Sequence, residues 1–151
     1  MSAEETARSL GLPRPPRPVG AYAPVVRSGN LLHLSGALPF DGEGGLTHAG
    51  KVGREFSVEE GAAAARQCGL NLLAVAREHL GNLDRVGRVV SLTGYVNAPE
   101  DFEEAAAVLN GASELMGEVF GERGVHARAA VAVAGLPKGA AVEVSAVLEL
   151  G

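Results

Sequence analysis

Residues 125–150, VHARAAVAVAGLPKGAAVEVSAVLEL, constrain the fold more than any other stretch of the chain. Two apolar runs alternate with a period of two on either side of a Gly-Leu-Pro-Lys-Gly turn, the pattern of two β-strands at 127–134 and 141–150. The first run carries one charge among its Ala and Val, Arg128 at its start; Glu143 interrupts the second, whose other charge, Glu149, stands at its end. Charge on a strand built for burial is costly unless it is partnered or used, so Arg128 and Glu143 are either a structural ion pair or a site.

Taken as a hairpin around 135–140 with their apolar faces on the helices, the strands put Arg128 and Glu143 on one outer face. Arg128 then lies opposite about residue 147, roughly four positions and ~13 Å from Glu143. That distance is at or beyond the reach of an arginine. The outer face is therefore expected to meet another subunit, where each charge finds its partner. Spacing alone leaves an interface ion pair and a functional site equally open.

Upstream, Ser57-Val58-Glu59-Glu60 is a capping box that opens a helix running to about Leu80, and Gly81 ends it. Ala62, Ala65, Gly69, Leu72, Leu73, Ala76 and Leu80 form its apolar stripe, with Cys68 beside it. A buried strand follows at 86–96, Pro99 breaks the chain, and 101–120 reads as a second helix stopped by Gly121. Residues 21–35 read as a hairpin turning at Ser28-Gly29-Asn30. Glycine-rich 39–53 reads as a flexible loop with room for a short edge strand at 46–48. Residues 1–18, ending in PRPPRP, read as an extended proline-stiffened segment. The order β-β-(β)-α-β-α-β-β predicts a single α+β domain over 1–151, a mixed sheet with two helices on one face.

Composition narrows the function. A net charge of −5 with no basic run argues against nucleic acid as a partner. A single cysteine excludes an internal disulfide and fits a reducing compartment. No signal-like or membrane-length apolar run is visible, so a cytoplasmic protein with no membrane contact is expected. His33, His48, His79 and His126 have no metal-ligand spacing with each other or with Cys68, so no metal is expected. The glycines of 39–53 match neither GxGxxG nor a Walker loop, and Ser35 lacks a nucleophile-elbow context. A core of Ala, Val, Leu and Gly without Trp gives modest burial per residue, which subunit interfaces can complete.

Several segments carry a resemblance. Ala127-Arg128 leads through Gly135-Leu136-Pro137-Lys138 to Val142-Glu143-Val144; Gly20-Ala21-Tyr22 and Leu34-Ser35-Gly36 followed by Leu38-Pro39 precede it, and Asn110 lies in the second helix. In order and spacing they resemble the RidA/YjgF family of reactive-intermediate deaminases, once labelled L-PSP endoribonucleases, from Gly20 to the C-terminus. The resemblance implies a chorismate mutase-like fold and a homotrimer with inter-subunit clefts. It also implies hydrolysis of 2-imino acids and enamines, such as 2-aminoacrylate, to 2-keto acids and ammonia without metal or cofactor. By the same resemblance Arg128 grips the substrate carboxylate and Glu143 orients or activates water. The resemblance likewise implies that Tyr22, Ser35, Gly36, Asn110 and Ala130 line the substrate.

The chain departs from that pattern at four places. Ala130 stands where a Cys is frequent, His126 where a Pro precedes Ala-Arg, Ala21 replaces the Pro of Gly-Pro-Tyr, and the loop at 41–56 is longer. These mark a divergent branch. His126 is read as a strand-end residue. A non-catalytic module binding a small carboxylic acid is the alternative. An endoribonuclease is disfavoured by the acidic charge and the lack of a His or Lys acid/base pair.

Overall fold

Across residues 1–18 and 20–151, which the computed structural model describes, each element follows from a local signal. In chain order they are α1 (Ala3–Leu10), β1 (Val25–Ser28), β2 (Leu31–Ala37), α2 (Val58–Leu80), β3 (Val86–Asn97), α3 (Ala105–Phe120), β4 (Ala127–Val133) and β5 (Val142–Leu150). The sheet order is β1-β2-β5-β3-β4, antiparallel except for the parallel pair β3–β4. Apolar residues of α2 and α3, among them Leu72, Leu73, Leu109 and Leu115, share one buried cluster with Leu32, Leu92 and Leu148 of the sheet. Among the described residues no helix covers the opposite sheet face, and its Val26 and Val131 are exposed.

The predicted α2 is present with its Ser57–Glu60 capping box and a left-handed Gly81 at its end. The β1–β2 hairpin turns where expected, with Ser28 paired to Leu31. The predicted hairpin of the last two strands does not form. β4 lies at the sheet edge, parallel to β3, and β5 inserts between β2 and β3. Period-two alternation reads the same in parallel and antiparallel strands, so it could not choose between them. The strand–helix–strand order of β3, α3 and β4 does choose, because a helical crossover returns the chain parallel to the strand it left.

Three local expectations are also corrected. α3 starts at Ala105 rather than 101, because a turn in which the Phe102 amide donates to the Pro99 carbonyl occupies the preceding residues. Within the N-terminal segment read as extended, Ala3–Leu10 is a helix. It is capped by a Ser2–Glu5 box and closed by Gly11 at φ 66°. Glu4 docks it: its carboxylate accepts from the Leu83 amide at 2.9 Å and from Arg77 at 2.7 Å. Burial works against the charged form, yet the Leu83 amide, Arg77 and Arg8 outweigh it and hold the Glu4 carboxyl below its usual range. The glycine-rich loop is tied down. Gln67 and Asn71 donate to the Phe40 carbonyl, and Lys51 Nζ donates to Asn97 Oδ1 at 2.7 Å. Around it stand isolated bridges, Phe40 to Leu46 and Ala49 to Ala140, in place of an edge strand.

The two long helices approach closely at Gly111, where a methyl would overlap the backbone carbonyl of Ala62. Backbone cannot swing aside as a side chain can, so Gly111→Ala should cost about 1–3 kcal/mol, the range for overpacking. A clear drop in the thermal denaturation midpoint checks this; an unchanged midpoint would show that the helices separate freely.

Candidate functional site

The register of β2 against β5 breaks where the candidate residues lie. Leu34 pairs with Ala146 and Ala37 with Val144, so Ser35 and Gly36 together oppose the single residue Ser145. Such a bulge re-aims side chains and ends regular pairing. The Ser35 amide donates to the Pro24 carbonyl at 3.0 Å and its hydroxyl to the Ala23 carbonyl at 2.7 Å. These two bonds hold the segment that carries Tyr22 beside the bulge. A Cβ at Gly36 would stand 2.5 Å from Glu143 Oε2, so the glycine gives the carboxylate its room.

Tyr22, Ser35, Gly36 and Glu143 line one cavity of about 300 Å³, with Leu38, Phe40, Leu72 and Val75 among its walls. Glu143 is half-buried, and burial pushes its carboxyl above the usual glutamate range. No cation pairs with it among the described residues. Behind it, burial and then the Glu143 charge push the Cys68 thiol well up, so Cys68 is a buried, protonated side chain. The cavity thus holds an unpaired carboxylate between apolar walls and a hydroxyl-bearing rim, an arrangement able to accept a proton from water.

Arg128 lies elsewhere. It is the second residue of β4, on the helix side of the sheet edge and in register with the buried Leu92. Its Nη1 donates to Asn110 Oδ1 at 2.8 Å and to Ser113 Oγ at 3.1 Å, and its Nη2 to the Ala106 carbonyl at 3.2 Å. Residues 106, 110 and 113 recur at helical spacing, so one stripe of α3 holds the guanidinium. His126 completes the cluster. Its Nδ1 lies 2.6 Å from the Gly124 carbonyl, which only accepts, so the proton sits there. Nε2 is then free to accept from the Ser113 hydroxyl at 2.9 Å. His126 is therefore part of the arginine's support rather than only a strand-end residue.

The expected shared face for Arg128 and Glu143 is corrected by this register. Arg128 pairs through Leu92 to Ala146, while Glu143 pairs with Tyr95 on the helix-free side. The two positions are two strands and three residues apart, ~14 Å, on opposite faces of the sheet. Of the predicted site residues, Tyr22, Ser35, Gly36 and Glu143 come together. Arg128 and Asn110 form a second group, and Ala130 packs against the core two positions along β4. Sequence reasoning missed Ser113 as a holder of Arg128, although its spacing of three from Asn110 was the available signal. It also missed Arg17, which lines the Glu143 cavity from the proline-rich segment. Among the described residues no group of three His, Cys, Asp or Glu is placed to hold a metal ion, and no helix is long and apolar enough to cross a membrane.

Residues 3–150 match the family described as "YjgF/chorismate_mutase-like, putative endoribonuclease". The chain is 49% identical over 142 residues to protein TCP17 of Trypanosoma cruzi, covering 93% of this chain and 88% of that one. A "putative endoribonuclease" of Shewanella oneidensis superposes with a TM-score of 0.94 at 32% identity, over 99% of this chain and all of that one (100%). RidA of an Antarctic Psychrobacter superposes at 0.63 with 34% identity, over 90% of this chain and 94% of that one.

Gly36→Ala should leave the fold intact, because the atom it meets is the free end of a side chain. It should move the Glu143 carboxylate outward and bring its titration down toward the ordinary glutamate value. Carbon-detected NMR titration of Glu143 checks this, and an unmoved titration would show that Gly36 does not set the carboxylate's position.

Proposed function

Because the chain belongs to the YjgF/RidA family, and because Glu143 stands unpaired in a largely apolar cavity, we propose that it hydrolyses reactive 2-imino acids and their enamine tautomers to 2-keto acids and ammonia. The position of Glu143, in that cavity and in no ion pair among the described residues, carries this reading. Water held by Glu143 attacks the imine carbon, and the carboxylate takes the water's proton. Glu143 passes that proton to the nitrogen to give a carbinolamine, then takes the hydroxyl proton and returns it to the amine as the C–N bond breaks, so ammonia leaves and the carbonyl forms. An enamine first gains a proton at its terminal carbon to become the imine. Tyr22 and Ser35 border the substrate, and the apolar walls limit competing water.

In this reading Arg128 grips the substrate carboxylate with its planar fork. Since Arg128 and Glu143 of one chain lie on opposite faces of the sheet, the arginine comes from a neighbouring copy, and the working unit is a homotrimer with a cleft at each interface. The contacts from Ala106, Asn110 and Ser113 hold the guanidinium in advance, which lowers the entropy lost on binding. The site needs neither metal nor cofactor, because the intrinsic chemistry is easy once acid and water are oriented.

The test couples the protein to a serine/threonine dehydratase that releases 2-aminoacrylate, and follows pyruvate. The wild-type protein should accelerate release. Arg128→Ala should lower kcat/KM about a hundredfold, the scale of about 3 kcal/mol for charge-assisted contacts. Glu143→Gln should lower it by about 10²–10⁴, the range for a general base. The base works ionised, so activity should rise with pH through a limb lying above the ordinary glutamate value of about 4.3. No acceleration of 2-aminoacrylate or 2-aminocrotonate release, with tight binding of a keto acid, would instead select a non-catalytic carboxylate-binding module.

A further inference from the structure

The Glu143 cavity adjoins a second one of about 380 Å³, and Pro16, Arg17 and Phe40 line both. The outer cavity is bordered by three cations, Arg14, Arg17 and Lys138, against the one carboxylate of Glu43. None of the three cations is in an ion pair among the described residues. A positive recess thus opens beside the candidate base.

Two features make the recess a built one. Arg14 and Arg17 lie in the run Pro13-Arg14-Pro15-Pro16-Arg17-Pro18. Both line the outer cavity, and the prolines flanking them stiffen the backbone that carries them, so it loses little entropy on binding. Gly42 seats that run, since a Cβ there would lie 3.3 Å from Pro13 and 3.4 Å from the Arg14 amide. The second feature is Lys138. It is the one non-glycine residue with positive φ, 59°, among those described, and Pro137 before it lines the Glu143 cavity. A long cationic side chain kept in a left-handed turn at a cavity edge is the kind of strain that accompanies function.

We propose that this outer recess is a specificity pocket for a second carboxylate, so that the site takes 2-imino or 2-keto acids whose side chain itself ends in a carboxylate. Arg17 spans the two cavities and Arg14 and Lys138 complete the cationic end. Binding energy spent there positions the reacting carbon at Glu143. The substrates come from reactions that dehydrogenate dicarboxylic amino acids to their imines. The identity of the reaction rests on the deaminase reading; the charge preference does not.

Titration calorimetry on the full chain compares 2-oxoglutarate with 2-oxobutyrate. The dicarboxylate should bind about tenfold tighter, the factor expected of one well-placed charge-assisted contact. Its advantage should shrink with added salt. Arg17→Ala should bring the affinity ratio close to one, Arg14→Ala should lower it, and Arg17→Lys should restore part of it. A ratio near one in the wild type, binding of neither acid, or a ratio that survives Arg17→Ala overturns the proposal. In parallel, imines generated from glutamate and alanine by an amino-acid oxidase are followed for hydrolysis. Arg17-dependent preference for 2-oxoglutarate without acceleration of either imine sinks the deaminase reading and leaves the pocket. Acceleration with no dicarboxylate preference does the reverse.

Discussion

Strand β5 is hydrogen-bonded along both edges, to β2 and to β3, and that double pairing fixes everything that matters at the site. Its alternation sends Val142, Val144, Ala146 and Leu148 under the helices and Glu143 and Ser145 to the other face. A slip of one residue would exchange the two sets, since the side-chain period of a strand is two. It would expose apolar side chains worth about 1.5–3 kcal/mol each when of Val or Leu size, and would bury an unpaired carboxylate. The hydrophobic effect therefore aims Glu143, and the bulge at Ser35-Gly36 gives it space.

The edge strand obeys the same logic with the opposite outcome. β4 pairs along one side, so Arg128 can lie on the helix side of the sheet and still be exposed. α3 then supplies three acceptors to a guanidinium that the core could not have held alone. His126 and Ser113 extend that support to the Gly124 carbonyl. One sheet thus presents its carboxylate and its arginine on separate faces. In the proposed assembly a cleft between copies reunites them.

Much of this was legible in the sequence. Ser57 and Glu60 marked the start of α2, Gly81 and Gly121 ended the two long helices, and the alternating runs gave both final strands. The motifs at 127–144 carried the family. The pairing of β4 was hidden, because alternation reports a strand's faces and says nothing about its neighbour or direction. The first helix was hidden by the proline run beside it, although Ser2-Ala3-Glu4-Glu5 repeats the capping signal that identified α2. Its docking through Glu4 to Leu83 and Arg77 is long-range and leaves no local trace. The motifs named Tyr22, Ser35, Gly36 and Glu143 together, but the bulge that gathers them into one cavity was announced by no residue pattern.

The division of the site between copies is tested most directly by complementation. Arg128→Ala and Glu143→Gln chains are each prepared alone, then co-expressed so that mixed assemblies form. If each cleft takes its arginine from one copy and its carboxylate from the next, random assembly restores an intact pair at about a quarter of the clefts, and activity returns from near zero to about that fraction of wild type. If mixed assemblies stay as inactive as the separate variants while wild type is active, both groups act within one chain, and the division is wrong.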